Sequence, residues 1–225
     1  MMMMTKKWLT VLLLFILPLI TYSQKKDFGI WYGVSAEHKL TKKLELDLST
    51  KIRTFNNAAK VEQVFLEGGL TYELNKYLAI AGSYRLTKNI EQNNLYYFRH
   101  KVMLDIKGSM PAGDFSFSCR LRFQTAIKTY IKDEIDKYPD YTSRIKLKAI
   151  YKTQTFPVNP YIYMESFSPM FSDKERTIEK IRYTAGAELR ILKQHSVEVE
   201  YIFQRDYLPN ISDINIISIN YNIRF

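Results

Sequence analysis

The last twelve residues read INIISINYNIRF. Ile217, Ile219, Tyr221, Ile223 and Phe225 alternate with Ser218, Asn220, Asn222 and Arg224. A period of two keeps these sets on opposite faces, whereas a helical period would mix them. The same alternation runs through nearly the whole chain, and nothing else in the sequence limits its fold so strongly. KLELDLSTKIRTF sets Leu44, Leu46, Leu48, Thr50 and Ile52 against Glu45, Asp47, Ser49, Lys51 and Arg53. GDFSFSCRLRFQ sets Phe115, Phe117, Cys119, Leu121 and Phe123 against Ser116, Ser118, Arg120, Arg122 and Gln124. SRIKLKAIY and SVEVEYIFQ repeat the scheme, and further strands are predicted over 28–40, 62–74, 77–87, 96–107, 160–167 and 181–190. No amphipathic helix interrupts them, so the chain reads as all-β.

Alternation alone also suits a water-soluble sandwich. Three features point instead to a barrel wall in a membrane. Most of the predicted strands run about nine to thirteen residues, longer than the usual strand and near the length that crosses a bilayer at a tilt. The polar face carries charges at mid-strand, as a wet lumen allows. Aromatics gather at strand ends, at Phe55, Tyr72, Tyr77, Tyr96, Tyr97, Tyr141 and Tyr151, where a ring can sit half in water. The links alternate too. Compact ones are expected at Thr41–Lys43, Asn75–Lys76, Gly108–Asp114, Thr153–Asn159 and Leu192–His195. Longer, mostly polar ones are expected at Asn56–Lys60, Asn89–Leu95, Lys128–Tyr141, Ser168–Lys180 and Arg205–Asp213. Short turns on one rim and long loops on the other are the habit of outer-membrane barrels.

The expected fold is an antiparallel transmembrane β-barrel of about 10–12 strands, closed by the C-terminal strand ending at Phe225. The pattern yields about eleven strands, whereas single-chain bacterial barrels normally have an even number. Ten and twelve are therefore both open, with twelve preferred. Counting back from the C-terminus would start the first strand at the outer rim. Residues 25–40 thus read either as something other than an ordinary wall strand or as a sign of one strand missed.

The opening MMMMTKKWLTVLLLFILPLITYSQ has lysines before a short apolar core broken by Pro18, then small residues. This is the pattern of a cleavable secretory signal over residues 1–23, leaving 24–225 as a single barrel domain. Cys119 is the sole cysteine, so no intramolecular disulfide forms. The formal charge is +10, but it is spread over alternating segments and not clustered as in a nucleic-acid binder. The expected location is the outer membrane of a Gram-negative bacterium. Tyr221, Ile223 and Phe225 resemble the C-terminal signal that such barrels present to the barrel-assembly machinery. Outer-membrane lipid and lipopolysaccharide are the other expected partners, the latter drawn by positive potential at the rim.

Three stretches resemble a family of Bacteroidota-type outer-membrane barrels known only as a domain of unknown function. They are DFGIWYGVSAEHKLTKKLELDLSTKIR, NPYIYMESF and RYTAGAELRILKQHSVEVEYIFQR. The resemblance implies a barrel in the outer membrane and brings no catalytic residues with it.

No metal-ligand cluster or phosphate loop emerges, and no cofactor is expected. His38 and His195 fall at strand ends or turns. His100 shares the apolar face of Phe98, Val102 and Leu104, near the outer rim. A lipid hydrolase would place a serine beside such a histidine, but the position two residues on is Val102. The informative residues have inward parity. Arg120, Arg122, Arg144, Lys146 and Lys148 lie on two neighbouring strands, and like charges side by side need acids or bound anions. Candidate acids are Glu165, Glu188, Glu198 and Glu200, with Glu67 and Asp105. Either these groups reach across and plug the lumen, or they line a narrow path that favours small anions. The sequence therefore supports a structural or interaction barrel or a narrow pore, with a rim lipid hydrolase as the alternative.

Overall fold

The structure is a computed structural model that describes residues 26–90, 96–129, 138–153, 156–171 and 178–225. The expected signal over 1–23, and most of the Lys128–Tyr141 loop, lie outside the described residues. Eleven strands form a closed barrel. They are β1 (Lys26–Lys39), β2 (Leu44–Phe55), β3 (Lys60–Asn75), β4 (Leu78–Ile90), β5 (Tyr96–Ala112), β6 (Phe115–Lys128), β7 (Asp140–Tyr151), β8 (Val158–Pro169), β9 (Lys180–Leu192), β10 (His195–Asp206) and β11 (Ser212–Arg224).

Consecutive strands pair antiparallel throughout. The barrel closes between β1 and β11, and that seam is parallel, running from Lys26 opposite Asp213 to Glu37 opposite Arg224. The reason is parity: when strand direction alternates along an odd number of strands, the first and last point the same way. Residues 26–39 are thus an ordinary wall strand, hydrogen-bonded on both sides, that begins at the long-loop rim. The even count expected from other bacterial barrels gives way to eleven. Among the described residues there is no twelfth strand, and the seam absorbs the mismatch.

The compact turns at one rim are held by local side chains. Thr41 Oγ1 accepts the Lys43 and Leu44 amides, and Asn75 Oδ1 accepts those of Tyr77 and Leu78. Such bonds take the place of ladder bonds where the chain reverses. The turn expected over Gly108–Asp114 shrinks to Gly113 and Asp114, because β5 stays paired with β6 as far as Ala112 opposite Phe115. Gly113 takes φ +60°, which a side chain would disfavour. At the other rim, Asn56, Asn57 and Ala58 all have positive φ. The Asp27 carboxylate offsets that strain by accepting the Asn56 and Asn57 amides at 3.0 and 2.9 Å.

The outward face is apolar: Leu66, Val102, Leu104, Ile145, Leu147 and Ile162 are all exposed. On β11, Ile217, Ile219 and Tyr221 share that face. Rings mark both rims, with Phe115 5.1 Å from Tyr151 at the turn rim and Tyr141 5.6 Å from Phe171 at the loop rim. Charged and hydroxyl side chains fill the inside. This inverts the usual soluble protein and suits an exterior solvated by hydrocarbon.

The parallel seam makes a direct prediction. In a Cys119→Ser background, Ile30→Cys with Ile217→Cys, and separately Val34→Cys with Tyr221→Cys, should each form an intramolecular disulfide, read as a mobility shift on non-reducing gels. Both pairs are opposite each other across the seam. They share one sequence offset, so an antiparallel seam would permit at most one of them.

Candidate functional site

Inward parity brings a dense set of side chains into the lumen, and the two halves of the barrel use it differently. Towards the long-loop rim the inward positions hold large rings: Trp31 on β1, Phe65 on β3 and Phe167 on β8. Between them lie guanidinium groups. Arg85 sits 4.0 Å above the Phe65 ring, and Arg53 lies 5.2 Å from Phe65 and 4.0 Å from Trp31. Arg182 lies 5.0 Å from Trp31 and 4.8 Å from Phe167, which also carries Arg144 at 4.4 Å. The step from Trp31 to Arg182 spans two intervening strands, so these contacts cross the lumen and do not merely follow the wall. A guanidinium is planar and weakly hydrated, so it stacks on a ring at lower desolvation cost than an ammonium would.

Acids close the remaining gaps. Glu165 Oε1 accepts Arg120 at 2.6 Å and Arg144 at 2.8 Å. Asp105 holds Arg122 through both carboxylate oxygens at 2.6 and 2.7 Å. Glu67 pairs with Arg85, and Gln204 accepts Arg182 Nε at 2.7 Å. Met103, Ile202 and Ile216, all inward, are 2 % exposed or less. An open channel would leave such residues wet, so the lumen is filled at this level.

Towards the turn rim several inward residues are small: Ser35, Ser49, Gly69, Ala81 and Ser83. Two cavities lie in this half, and these small residues line the smaller. One of about 430 Å³ is lined by Lys107, Arg120, Lys146 and Lys148. The other, about 190 Å³, is lined by Glu37, Asp47, Thr71 and the Asp105–Arg122 pair. Lys146 lies 3.6 Å from the centre of the Tyr163 ring, and Lys148 lies 3.8 Å from that of Tyr161. Tyr161 packs its ring against Gly186, where a Cβ would come within 2.9 Å, and donates its hydroxyl to Glu200 at 3.0 Å.

The charged residues singled out from the sequence all have inward parity here, but they do not form one network. Arg120, Arg144 and Glu165 meet, and Arg122 meets Asp105. Lys146 and Lys148 rest on rings instead of acids. Glu188 lies 3.7 Å from Arg224, which bonds Glu37 at 2.9 Å across the seam. Glu198 and Glu200 stand on β10, away from the arginine layer. Sequence reasoning missed Trp31, Phe65, Phe167, Arg53, Arg85 and Arg182 as members of the site. Their parity was readable, since each falls on the polar face of its strand.

His100 faces outward, as its parity predicts, and its Nδ1 is hydrogen-bonded to the Tyr84 hydroxyl. The bond satisfies two polar groups on an apolar surface. His195 makes the same kind of bond with Tyr221 at the other rim. No serine hydroxyl bonds either histidine among the described residues. Among the described residues no group of histidine, cysteine and acidic side chains is arranged to hold a metal.

Residues 28–215 match the model of a family described as protein of unknown function, DUF2490. The chain belongs to this family. Solved structures similar to this DUF2490 barrel include the β domain of the Bordetella autotransporter BrkA, with TM-score 0.51, 11% identity, and coverage of 78% of this chain and 82% of that one. The NanC porin aligns with TM-score 0.53 and 12% identity over 83% of this chain and 90% of the porin. LpxR from Salmonella typhimurium aligns at 0.49 and 9% identity over 80% and 83%. At such identities the first two likenesses concern the fold, which is that of an outer-membrane β-barrel. No curated protein matches the chain by sequence.

Glu165 is the acid on which the interior charge balance turns. Glu165→Gln leaves the Arg144 guanidinium and the partly exposed Arg120 without their shared anion, and should destabilise the barrel by about 3 kcal/mol. Urea unfolding in micelles, followed by Trp31 fluorescence, measures this. Glu73→Gln, at an exposed position near the turn rim, should leave the midpoint unchanged.

Proposed function

We propose that this chain is an outer-membrane barrel of a Gram-negative bacterium, exported with residues 1–23 as its leader, that keeps its lumen closed. Its role is structural or interactive and not that of an open pore. One observation carries this reading: the layer of stacked rings and guanidinium groups from Arg85 through Phe65, Arg53, Trp31, Arg182 and Phe167 to Arg144. Displacing it would separate several ion pairs and cation–π contacts together, which thermal motion does rarely.

The remaining partners belong to the same reading. The apolar exterior takes outer-membrane lipid, and the basic interior and rim attract lipopolysaccharide phosphates. Tyr221, Ile223 and Phe225 on the outward face of the last strand offer the barrel-assembly machinery its recognition edge. Lipid hydrolysis at the rim has less behind it, since His100 is engaged by Tyr84 and Val102 holds the position where a nucleophile would share its face.

Planar-bilayer recording tests the closed lumen. The purified wild-type barrel should show no steady conductance at low voltage, whereas an Arg53→Ala, Arg182→Ala, Phe167→Ala triple variant should conduct in discrete steps. Steady wild-type current would overturn the reading.

A further inference from the structure

The register of β5, β6 and β7 places three cations side by side. Lys107 stands opposite Arg120, and Arg120 opposite Lys146. Lys148 follows two residues on, on the same face. Like charges directly opposed across strands are destabilising unless an anion lies between them. The large turn-side cavity opens onto this row. Five cations line it, Lys76, Lys107, Arg120, Lys146 and Lys148, against the single carboxylate of Glu73.

The chain's own acids do not neutralise the row. Glu165 takes one terminal nitrogen of Arg120 but shares that oxygen with Arg144, and Arg120 Nε has no partner. Lys107 donates to the Thr71 hydroxyl at 3.1 Å, a neutral acceptor. Among the described residues neither Lys146 nor Lys148 has a carboxylate within ion-pair distance. Their ring contacts with Tyr163 and Tyr161 orient the side chains without supplying an anion. Glu198 and Glu200 face the row from β10, and Glu200 is engaged by the Tyr161 hydroxyl.

We infer that the turn-side vestibule formed by Lys107, Arg120, Lys146 and Lys148 is a binding site for a small dissolved polyanion carrying two or more phosphate or carboxylate groups. A volume of about 430 Å³ lies in the range of small-molecule pockets and has room for a phosphorylated monosaccharide. Several cations in a low-dielectric wall focus their field on the mouth, which favours multivalent over monovalent anions. The ligand is a solute and not a lipid headgroup, because the four side chains point into the lumen and not at the leaflet. The site goes beyond the closed-barrel reading and does not depend on it. Binding is measured without current, so either can fail alone.

Titration calorimetry of the folded barrel in a non-ionic detergent, with pyrophosphate and citrate as probes, tests this. The wild type should bind one equivalent of at least one probe, more tightly than chloride or acetate, with affinity falling as salt rises. Lys146→Gln with Lys148→Gln should weaken binding at least tenfold, and Lys146→Arg with Lys148→Arg should restore it to within threefold. Lys148→Gln alone should still weaken it at least threefold, which keeps the test alive if the double variant does not fold. No binding of either probe by folded wild type at millimolar concentration would overturn the proposal. So would wild-type affinity in the folded double Gln variant.

Discussion

A sheet whose outer face is apolar cannot leave a row of amides and carbonyls unpaired where water is absent. Every backbone donor and acceptor must then find its partner within the sheet, and a sheet achieves this only by closing on itself. The other large features follow from closure. Eleven strands cannot alternate and also meet antiparallel, so β1 and β11 pair in parallel. That seam starts β1 at the long-loop rim and sets Trp31 opposite Ser218 and Arg53. It also brings Glu37 beside Arg224, an ion pair that joins the two ends of the chain.

Closure also creates an inside of limited width. In the loop-side half it is filled by rings and guanidinium groups, which stack flat and tolerate partial desolvation. In the turn-side half serine, glycine and alanine share the inward rows with lysines and acids, and cavities of about 190 and 430 Å³ stay open. One barrel therefore combines a filled section with a vestibule. The difference arises from side-chain size along the same inward rows, since the backbone is equally regular in both. Arginines dominate the filled half, where Arg53, Arg85, Arg144 and Arg182 stack on rings.

Much of this could be read along the chain. All eleven strands were placed from period two alone, most of their ends within a few residues, because alternation records which face each side chain takes. The inward parity of Arg120, Arg122, Arg144, Lys146, Lys148, Glu165, Glu188, Glu198 and Glu200 was read the same way. Who meets whom was not. Arg120 could have paired with Glu198 as easily as with Glu165 on parity grounds, and nothing in β1 marks Trp31 as the partner of Arg53 and Arg182. Contacts across a lumen depend on shear and curvature, which join residues distant in sequence and leave no periodic trace. The parallel seam was hidden for another reason. The count pointed to eleven, but habit among bacterial barrels argued for an even number, and only the pairing of Lys26–Glu37 with Asp213–Arg224 resolved it.

The sequence by itself determined the class of structure, the position of each strand and the face each residue takes. These are local properties, set by the two-residue repeat and by turn-forming residues at the strand ends. Only the tertiary structure decided the direction of the closing seam, the layer that fills one half of the lumen and the row of cations that shares the other. Each of those depends on how far apart opposite walls lie, and that distance exists only once the sheet has closed.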